Sequence, residues 1–535
     1  MLKGILNHRS IGVDSQSFIK MQNTTANTTV VNPREKLAAD VQENSTVDSQ
    51  HAIEKIDEAY VEDATPVIDR AAERKLVRKQ DLLILPLLGL GYLMGVLDRS
   101  NIGNARLMGI QQDLNMTNHQ FFQVLMVTYI GFLVLQTPAA LLMKILAPRW
   151  VLGGSITMFG MVAALFAVAR GFADLIGLRL VLGFGEAIVP LSFLYLSMWY
   201  KHDELALRGG LIYWSTSVAS FAGGLIAYGV DKNVHNAHGI RSWQWLFIVE
   251  GVPTVAIGLL IMALLPGYPD KVVAKGHFLF NSSENELLLA RIKASQNTAG
   301  AKVVPRQIWI AIKDPKTYLG SLMLTAVGTS AAAFSVFLPT FINAFGFDRL
   351  TSQLYTIIPY SFAVVSMPLA CWLSDKYQQR GIAMAGCLGC CLIGIIIILA
   401  SPNPTVSMAG TCFVAAGTYP GNPIAVAWIS TIHGGYTKRS TVYGIQQIFI
   451  NSFIIMATQV FDTPPKFYKG NGILLGIFVV AFSCTAILYF WLRHENRKRD
   501  AAAEARRNGT APPLPDDIGD FETLCDYHPN WRYPL

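Results

Sequence analysis

The chain has 535 residues, 52% of them hydrophobic and only 15% charged, with a net charge of +7. A soluble protein of this length ordinarily carries about 25% charged residues, which argues against a soluble enzyme. Apolar runs near twenty residues recur along most of the sequence and read as transmembrane helices. The positive charge is then explained by cytoplasmic loops, and no nucleic-acid partner is expected.

Residues 1–80 are polar, with no apolar core of a signal peptide, and are expected to be a disordered cytoplasmic segment. Its end, with Arg74, Lys75, Arg78 and Lys79, suggests a short helix at the membrane surface. Six spans follow: helix 1 over 82–101, helix 2 over 121–143, helix 3 over 150–169, helix 4 over 175–198, helix 5 over 209–230 and helix 6 over 245–265. A polar linker of about fifty residues contains SSENELLLARIKASQ, where Ser282 or Ser283 with Glu286 resembles a capping box. Six more spans start near Tyr318, Ser352, Ile382, Val406, Val442 and Gly472, the last ending near Leu492, and a polar tail closes the chain. The expected fold is therefore an all-α integral membrane protein of twelve helices in two six-helix bundles. The domains are 1–80, an N-terminal bundle 81–265, a linker 266–316, a C-terminal bundle 317–493 and a tail 494–535. Two sets of six around a long loop is the layout of a transporter built from parallel repeats.

With the N-terminus inside, the loops on its side hold sixteen Lys and Arg against seven on the other. Both termini are thus expected in the cytosol. Of the Asn-x-Ser/Thr sequons, only Asn115 falls in an outer loop where glycosylation is possible. The seven cysteines lie mostly within spans and form no disulfide framework, and no metal site is expected.

No phosphate-binding loop or metalloprotease motif is present, so neither ATP nor an enzymatic metal is expected and the chain is not read as an enzyme. What remains is polar residues at membrane depth, which mark substrate paths. Helix 4 carries Arg179 and Glu186 inside an apolar run. Seven residues at 100° each place both on one face, about 10 Å apart in rise, with Gly183 and Gly185 between them allowing a close helix neighbour. The pair is either a substrate and proton site or a structural lock between helices. In helix 1, Asp98 and Arg99 point about 100° apart, so only one faces a central cavity squarely. Arg99 is either an anion collar or a cation reaching back to the interface. In helix 10, Tyr419-Pro420-Gly421-Asn422-Pro423 is expected to break the helix near mid-membrane, as a ligand contact or as a plain kink. In helix 11, Gln447 and Asn451 share a face and offer hydrogen bonds to a substrate. His433 is either a proton carrier or an interfacial histidine.

After helix 8, CWLSDKYQQRG places Asp375, Lys376 and Arg380 in the pattern of the major facilitator superfamily's inner-loop motif, which the chain here resembles. The family role is structural and gating. The equivalent loop after helix 2, LLMKILAPRW, lacks the Asp. LDRSNIGNAR, RLVLGFGEA, LSMWYKHDELALR, WQWLFIVEGVPT, TKRSTVYG, FDTPP and the terminal WRYPL together resemble the fungal allantoate permease branch of the anion:cation symporter family. The resemblance implies proton-coupled uptake of a small organic anion such as a ureide, nicotinate, pantothenate or biotin. It implies that Arg99, Asn101 and Gly103 of helix 1, with Arg179 and Glu186, serve anion binding and proton coupling. One departure is Thr431-Ile432 before His433, where the branch has an Asn pair.

The expected function is a secondary active symporter, monomeric, in the plasma membrane, with a proton gradient and no cofactor. Arg179 is expected to bind the anion with Arg99, Asn101, Tyr419, Asn422, Gln447 and Asn451. Glu186 is expected to carry the proton, compensated by Arg179 when empty, and Asp98, Asp375, Lys376 and Arg380 to serve structure and gating. The alternatives are an exporter of a small metabolite and a nutrient sensor on a transporter frame.

Overall fold

The computed structural model describes residues 70–234, 237–275, 280–295, 304–462, 467–508, 510 and 524–535. Twelve long helices carry the described fold: α1 (Arg70–Leu107), α2 (Asn118–Ile145), α3 (Pro148–Leu165), α4 (Phe172–Glu186), α5 (His202–Asn233) and α6 (Ser242–Leu264), then α7 (Pro315–Ala344), α8 (Ile357–Tyr377), α9 (Arg380–Ala400), α10 (Pro404–Ile432), α11 (Tyr436–Val460) and α12 (Tyr468–Arg507). Eleven stretches among the described residues are long and apolar enough to cross a membrane. The helix that falls short, α10, is 29 residues long. Its buried positions include Ser407, Thr411, Thr418 and Tyr419 beside Val414, Ile424 and Ile429.

The pairings show a repeat. In the first six helices α1 packs on α5 and α6, α2 on α4, and α3 on α4 and α6; in the second, α7 packs on α11 and α12, α8 on α10, and α9 on α10 and α12. Contacts between the halves run through α1 with α7, α2 with α11 and α5 with α8. Gly103 sits at the first of these, where a Cβ would stand 1.9 Å from the Val336 carbonyl oxygen. Gly183 does the same within the first half, 2.2 Å from the Thr128 carbonyl, so small residues set how closely these helices approach. Large apolar side chains such as Val168, Val252, Ile396 and Phe490 are left on the surface, as a lipid-facing exterior requires.

Several elements differ from the sequence expectation. Residues 70–80 are not disordered but form the first turns of α1, while 1–69 lie outside the described residues. Helix 4 is not continuous: α4 stops at Glu186, passes through a 3₁₀ turn (Val189–Leu191) and resumes as Ser192–Trp199. Pro190 has no N–H to donate to the Glu186 carbonyl four residues back, which interrupts the ladder there. Conversely α10 does not break at Pro420 and Pro423 but runs unbroken through both. In the linker, the helix Ser282–Ser295 starts one residue after Asn281, whose N–H donates to Glu284 at 2.8 Å, so the cap uses Glu284 and not Glu286.

The face carrying α1's start and α12's end is held by buried charge. In the first half Arg291 of the linker helix, 2% exposed, donates to both oxygens of Glu204 at 2.9 and 2.7 Å, and Arg208 grips Asp81 at 2.6 and 2.8 Å. In the second half the end of the chain folds back. Asp526 accepts from Lys316 and, at 2.5 Å, from Lys438, which also binds Asp314 at 2.7 Å. The last residues complete the dock, with Trp428 donating to the Pro534 carbonyl at 3.0 Å and the Arg380 N–H to that of Leu535 at 2.6 Å. The expected polar tail is thus, over 524–535, a packed part of the second half.

Burial pushes the Asp526 carboxyl up, but Lys316 and Lys438 outweigh it and hold it at about 2. The contribution is complete above the unfolded value of about 3.9 and is lost as pH falls toward 2, so the dock should be unchanged between about pH 5 and 8. Asp526→Ala leaves two buried lysines sharing the single carboxylate of Asp314, a change of the kind that costs up to about 3–5 kcal/mol. Limited proteolysis should then cut the tail beyond residue 507 at least about tenfold faster than in the wild type. Equal cleavage rates would show that the ion cluster does not hold the tail.

Candidate functional site

A cavity of about 180 Å³ lies between the halves, lined from the first by α1, α2, the break after α4 and α5, and from the second by α7, α10 and α11. Arg99 is the only cation on its wall among the described residues. Its Nε donates to Glu186 Oε2 at 2.6 Å, and its guanidinium lies 5.4 Å from the centre of the Phe132 ring. The Arg99 side chain is 27% exposed to the cavity while that of Glu186 is 1% exposed. Glu186 Oε1 has no hydrogen-bond partner, so among the described residues Arg99 is the one cation hydrogen-bonded to a carboxylate that occupies the last residue of α4, where the helix dipole disfavours an anion, while Arg179 acts on it without a hydrogen bond.

The hydrogen-bond partner of Glu186 is thus Arg99 and not Arg179, which stays within electrostatic reach of it. Arg179 is 2% exposed, stands over the Phe166 ring at 4.9 Å and is absent from the cavity lining, its Nε and Nη2 without hydrogen-bond partners. Sharing a face two turns apart does not make a contact. Asn101 is also removed from the cavity: it is fully buried and donates to Glu250 Oε2 at 2.6 Å. Asp98, 2% exposed, has neither carboxyl oxygen hydrogen-bonded and lies within electrostatic reach of Glu250, Glu186, Arg179 and Arg99. The first half therefore gathers three acids, Arg179 and one amide behind the cavity wall, with Arg99 on the wall itself. A buried charge must be paired or neutralised, and three acids outnumber two arginines here, so the set is not balanced by its ionised side chains alone. Glu250 carried no functional role in the sequence reading. Its signal was an acidic residue inside the apolar run WQWLFIVEGVPT.

The second half supplies neutral polar groups. Tyr419, Asn422, Gln447 and Asn451 all line the cavity. Tyr419 reaches across to Ser220 of the first half, with 3.1 Å between hydroxyls, and Asn451 donates to the Gln447 carbonyl at 2.8 Å. Tyr92, Tyr129 and Tyr443 add an aromatic lining that the sequence reading did not single out, and Tyr213 of α5 stands with them. Tyrosines inside spans of this composition are too common to carry such a signal alone.

The remaining expected residues lie elsewhere. Asp375 and Lys376 are exposed on the face of the chain ends, Lys376 over the Trp372 ring at 4.6 Å, and neither is in an ion pair among the described residues. Arg380 binds the Ala427 carbonyl and Thr431 at 3.2 and 2.9 Å. His433 is fully buried, with Nδ1 2.9 Å from the Ile429 carbonyl. Asn115 is exposed in a left-handed turn (φ 50°) on the opposite face, and Thr117 of its sequon caps α2.

The model of the Major Facilitator Superfamily matches residues 88–458. The high-affinity nicotinic acid transporter of Saccharomyces cerevisiae is 31% identical over 487 residues, 88% of this chain and 87% of the relative. An uncharacterised transporter of Schizosaccharomyces pombe is 32% identical over 474 residues, 88% of this chain and 93% of the relative. Among solved structures, the xylose transporter XylE from E. coli in a partially occluded inward-open conformation aligns with a TM-score of 0.57 at 14% identity, covering 77% of this chain and 97% of its own. A bacterial homologue of the human lysosomal transporter Spinster, inward-facing and unoccupied, aligns with a TM-score of 0.56 at 14% identity, covering 76% and 94%.

Removing Arg99 leaves Glu186 a buried carboxylate without its hydrogen-bonded cation. Arg99→Met should lower the thermal midpoint of the purified protein by the equivalent of about 3–5 kcal/mol, and adding Glu186→Gln should recover most of that loss. If the single variant melts like the wild type, the two side chains do not depend on each other.

Proposed function

The chain belongs to the Major Facilitator Superfamily, a family of membrane transporters for small molecules and not of enzymes, and we propose that it is a proton-coupled symporter of a small organic anion. The observation that carries the reading is the Arg99–Glu186 ion pair, half in the cavity and half in its wall. The volume of about 180 Å³ is well below the roughly 300–1,000 Å³ of sites for drug-sized ligands, which favours a small substrate. Aromatic rings on several sides favour a flat one, and the similarity to the yeast nicotinic acid transporter supports a nicotinate-like monocarboxylate. We place the chain in the fungal allantoate permease branch of the anion:cation symporters on its sequence motifs. On the loop charges we place both termini in the cytosol, and we read the protein as a monomer of the plasma membrane.

The coupling follows from charge balance. In the empty carrier Arg99 and Glu186 neutralise each other. An entering carboxylate takes the guanidinium, which binds it through two parallel hydrogen bonds. Glu186, deprived of its cation in a nearly waterless wall, is stable only as the neutral acid and takes one proton. Empty and fully loaded carriers then hold the same net charge at the site. Carriers with the proton alone or the anion alone hold one uncompensated buried charge, at a cost of several kcal/mol. Each such state is populated about a hundredfold less for every 3 kcal/mol of that cost, so substrate and proton cross together as the halves rock. Tyr419, Asn422, Gln447 and Asn451 hold the rest of the substrate. Arg179 serves as counter-ion to the enclosed acids and not as the anion ligand. Asp375 and Lys376 are assigned to gating.

Two measurements test the assignment. Glu186→Gln should abolish accumulation of labelled nicotinate driven by an inward proton gradient while retaining exchange of labelled for unlabelled substrate. Concentrative uptake at the wild-type level would remove Glu186 from coupling. Arg99→Lys loses the planar fork and should raise the half-saturating concentration about tenfold or more. Unchanged saturation would assign the anion to another residue.

A further inference from the structure

A second cavity, of about 250 Å³, lies between the halves at the face opposite the chain ends, where α1 ends, α2 begins and α7 ends. A layer of contacts separates it from the central cavity: Gln459 donates to the Phe122 carbonyl at 2.9 Å, and the Phe122 and Phe337 rings stand 6.2 Å apart. Two buried polar atoms belonging to its lining residues have no hydrogen-bond partner, Arg106 Nη1 in the first half and Thr340 Oγ1 in the second. Arg106 is fixed in place by its other nitrogen, Nη2, which donates to Asn118 at 3.3 Å, and by the Phe121 ring 4.7 Å from its guanidinium. The acid on this lining, Asp462, is engaged with Lys469 at 3.0 Å and both are largely exposed, so solvent screens that pair and leaves Arg106 as the unbalanced charge. Phe461 and Phe467 form apolar walls, their rings 6.5 Å apart.

We propose that this cavity is a second, outer binding site for the transported carboxylate, with Arg106 and Thr340 taking the carboxylate between aromatic walls. An unpaired guanidinium atom and an unpaired hydroxyl, one from each half, are the donors that an anion satisfies at once. A buried donor without a partner has a standing desolvation cost that such a ligand removes. Aromatic walls select an anion with a flat apolar body over phosphate or chloride. The site lies on the path to the central cavity, so it gathers substrate before the Phe122 layer parts. The inference rests on the reading of the substrate as a small carboxylate, and on the face opposite the termini being the outer one.

The test is equilibrium binding of nicotinate, with pantothenate as a second probe, to the purified full chain. Uptake is measured in parallel. Wild type should bind two equivalents, while Arg106→Gln and Thr340→Val should each bind one. Both variants should need several-fold more substrate for half-maximal uptake while their maximal rate stays within about twofold of wild type, and Arg106→Lys should fall between. Thr340→Val is nearly isosteric and carries the same expectation if Arg106→Gln does not fold. One equivalent in the wild type, or unchanged binding in Thr340→Val, overturns the outer site and leaves the central one standing. No binding of either probe by the wild type overturns the carboxylate reading, and this site with it.

Discussion

The ion pair between Arg99 and Glu186 is the constraint on which the other features of the central cavity, the proposed transport site, depend. Glu186 can be nearly waterless only because Arg99 is 2.6 Å away, and Arg99 can face the cavity only because α1 turns its neighbour Asp98 into the wall. The local chemistry of α4 fits the same need. Pro190 interrupts the helix at Glu186 and itself lines the cavity, so the carboxylate stands at an opening in the backbone instead of being sealed within a continuous helix. A site holding one exchangeable cation–anion pair has two neutral arrangements, and those are the two in which a carrier can reorient.

The rest of the molecule keeps each half intact around that pair. The linker helix after α6 closes the face of the first half through Arg291 and Glu204, and the chain end after α12 closes the second through Asp526 with Lys316 and Lys438. Each clasp follows the last helix of its own half and leaves the contacts of α1 with α7, α2 with α11 and α5 with α8 as the seam. Glycine at position 103 makes the seam tight, because any side chain there would meet the Val336 carbonyl. Buried ion networks are costly to break, and one ion pair, Arg349 with the buried Asp231 of α5, also crosses the seam and must part when the halves move.

Much of this was legible in the sequence, for physical reasons that differ by feature. Helix count and order followed from apolar runs, which burial in lipid makes unavoidable. Arg99, Tyr419, Asn422, Gln447 and Asn451 stood out as polar groups at membrane depth, and the fold brings all five to one cavity. Arg179 stood out by the same logic and lies elsewhere. A seven-residue spacing fixes a shared face but separates the two residues by about 10 Å of rise, too far for a direct pair, and the partner from α1 is set by helix packing that spacing does not encode. The continuity of α10 was hidden because prolines signal a break locally, while its close neighbours α8 and α9 hold the helix together. The docked tail was hidden because Asp526 finds its lysines 210 and 88 residues away.

The central claim is that substrate and proton exchange places on one ion pair, and proton uptake on substrate binding measures it most directly. Purified protein in weakly buffered detergent, mixed with saturating nicotinate, should take up about one proton per substrate bound in the wild type. The Glu186→Gln variant should bind substrate with none. Binding to the wild type without proton uptake, or equal uptake in the variant, would contradict the account.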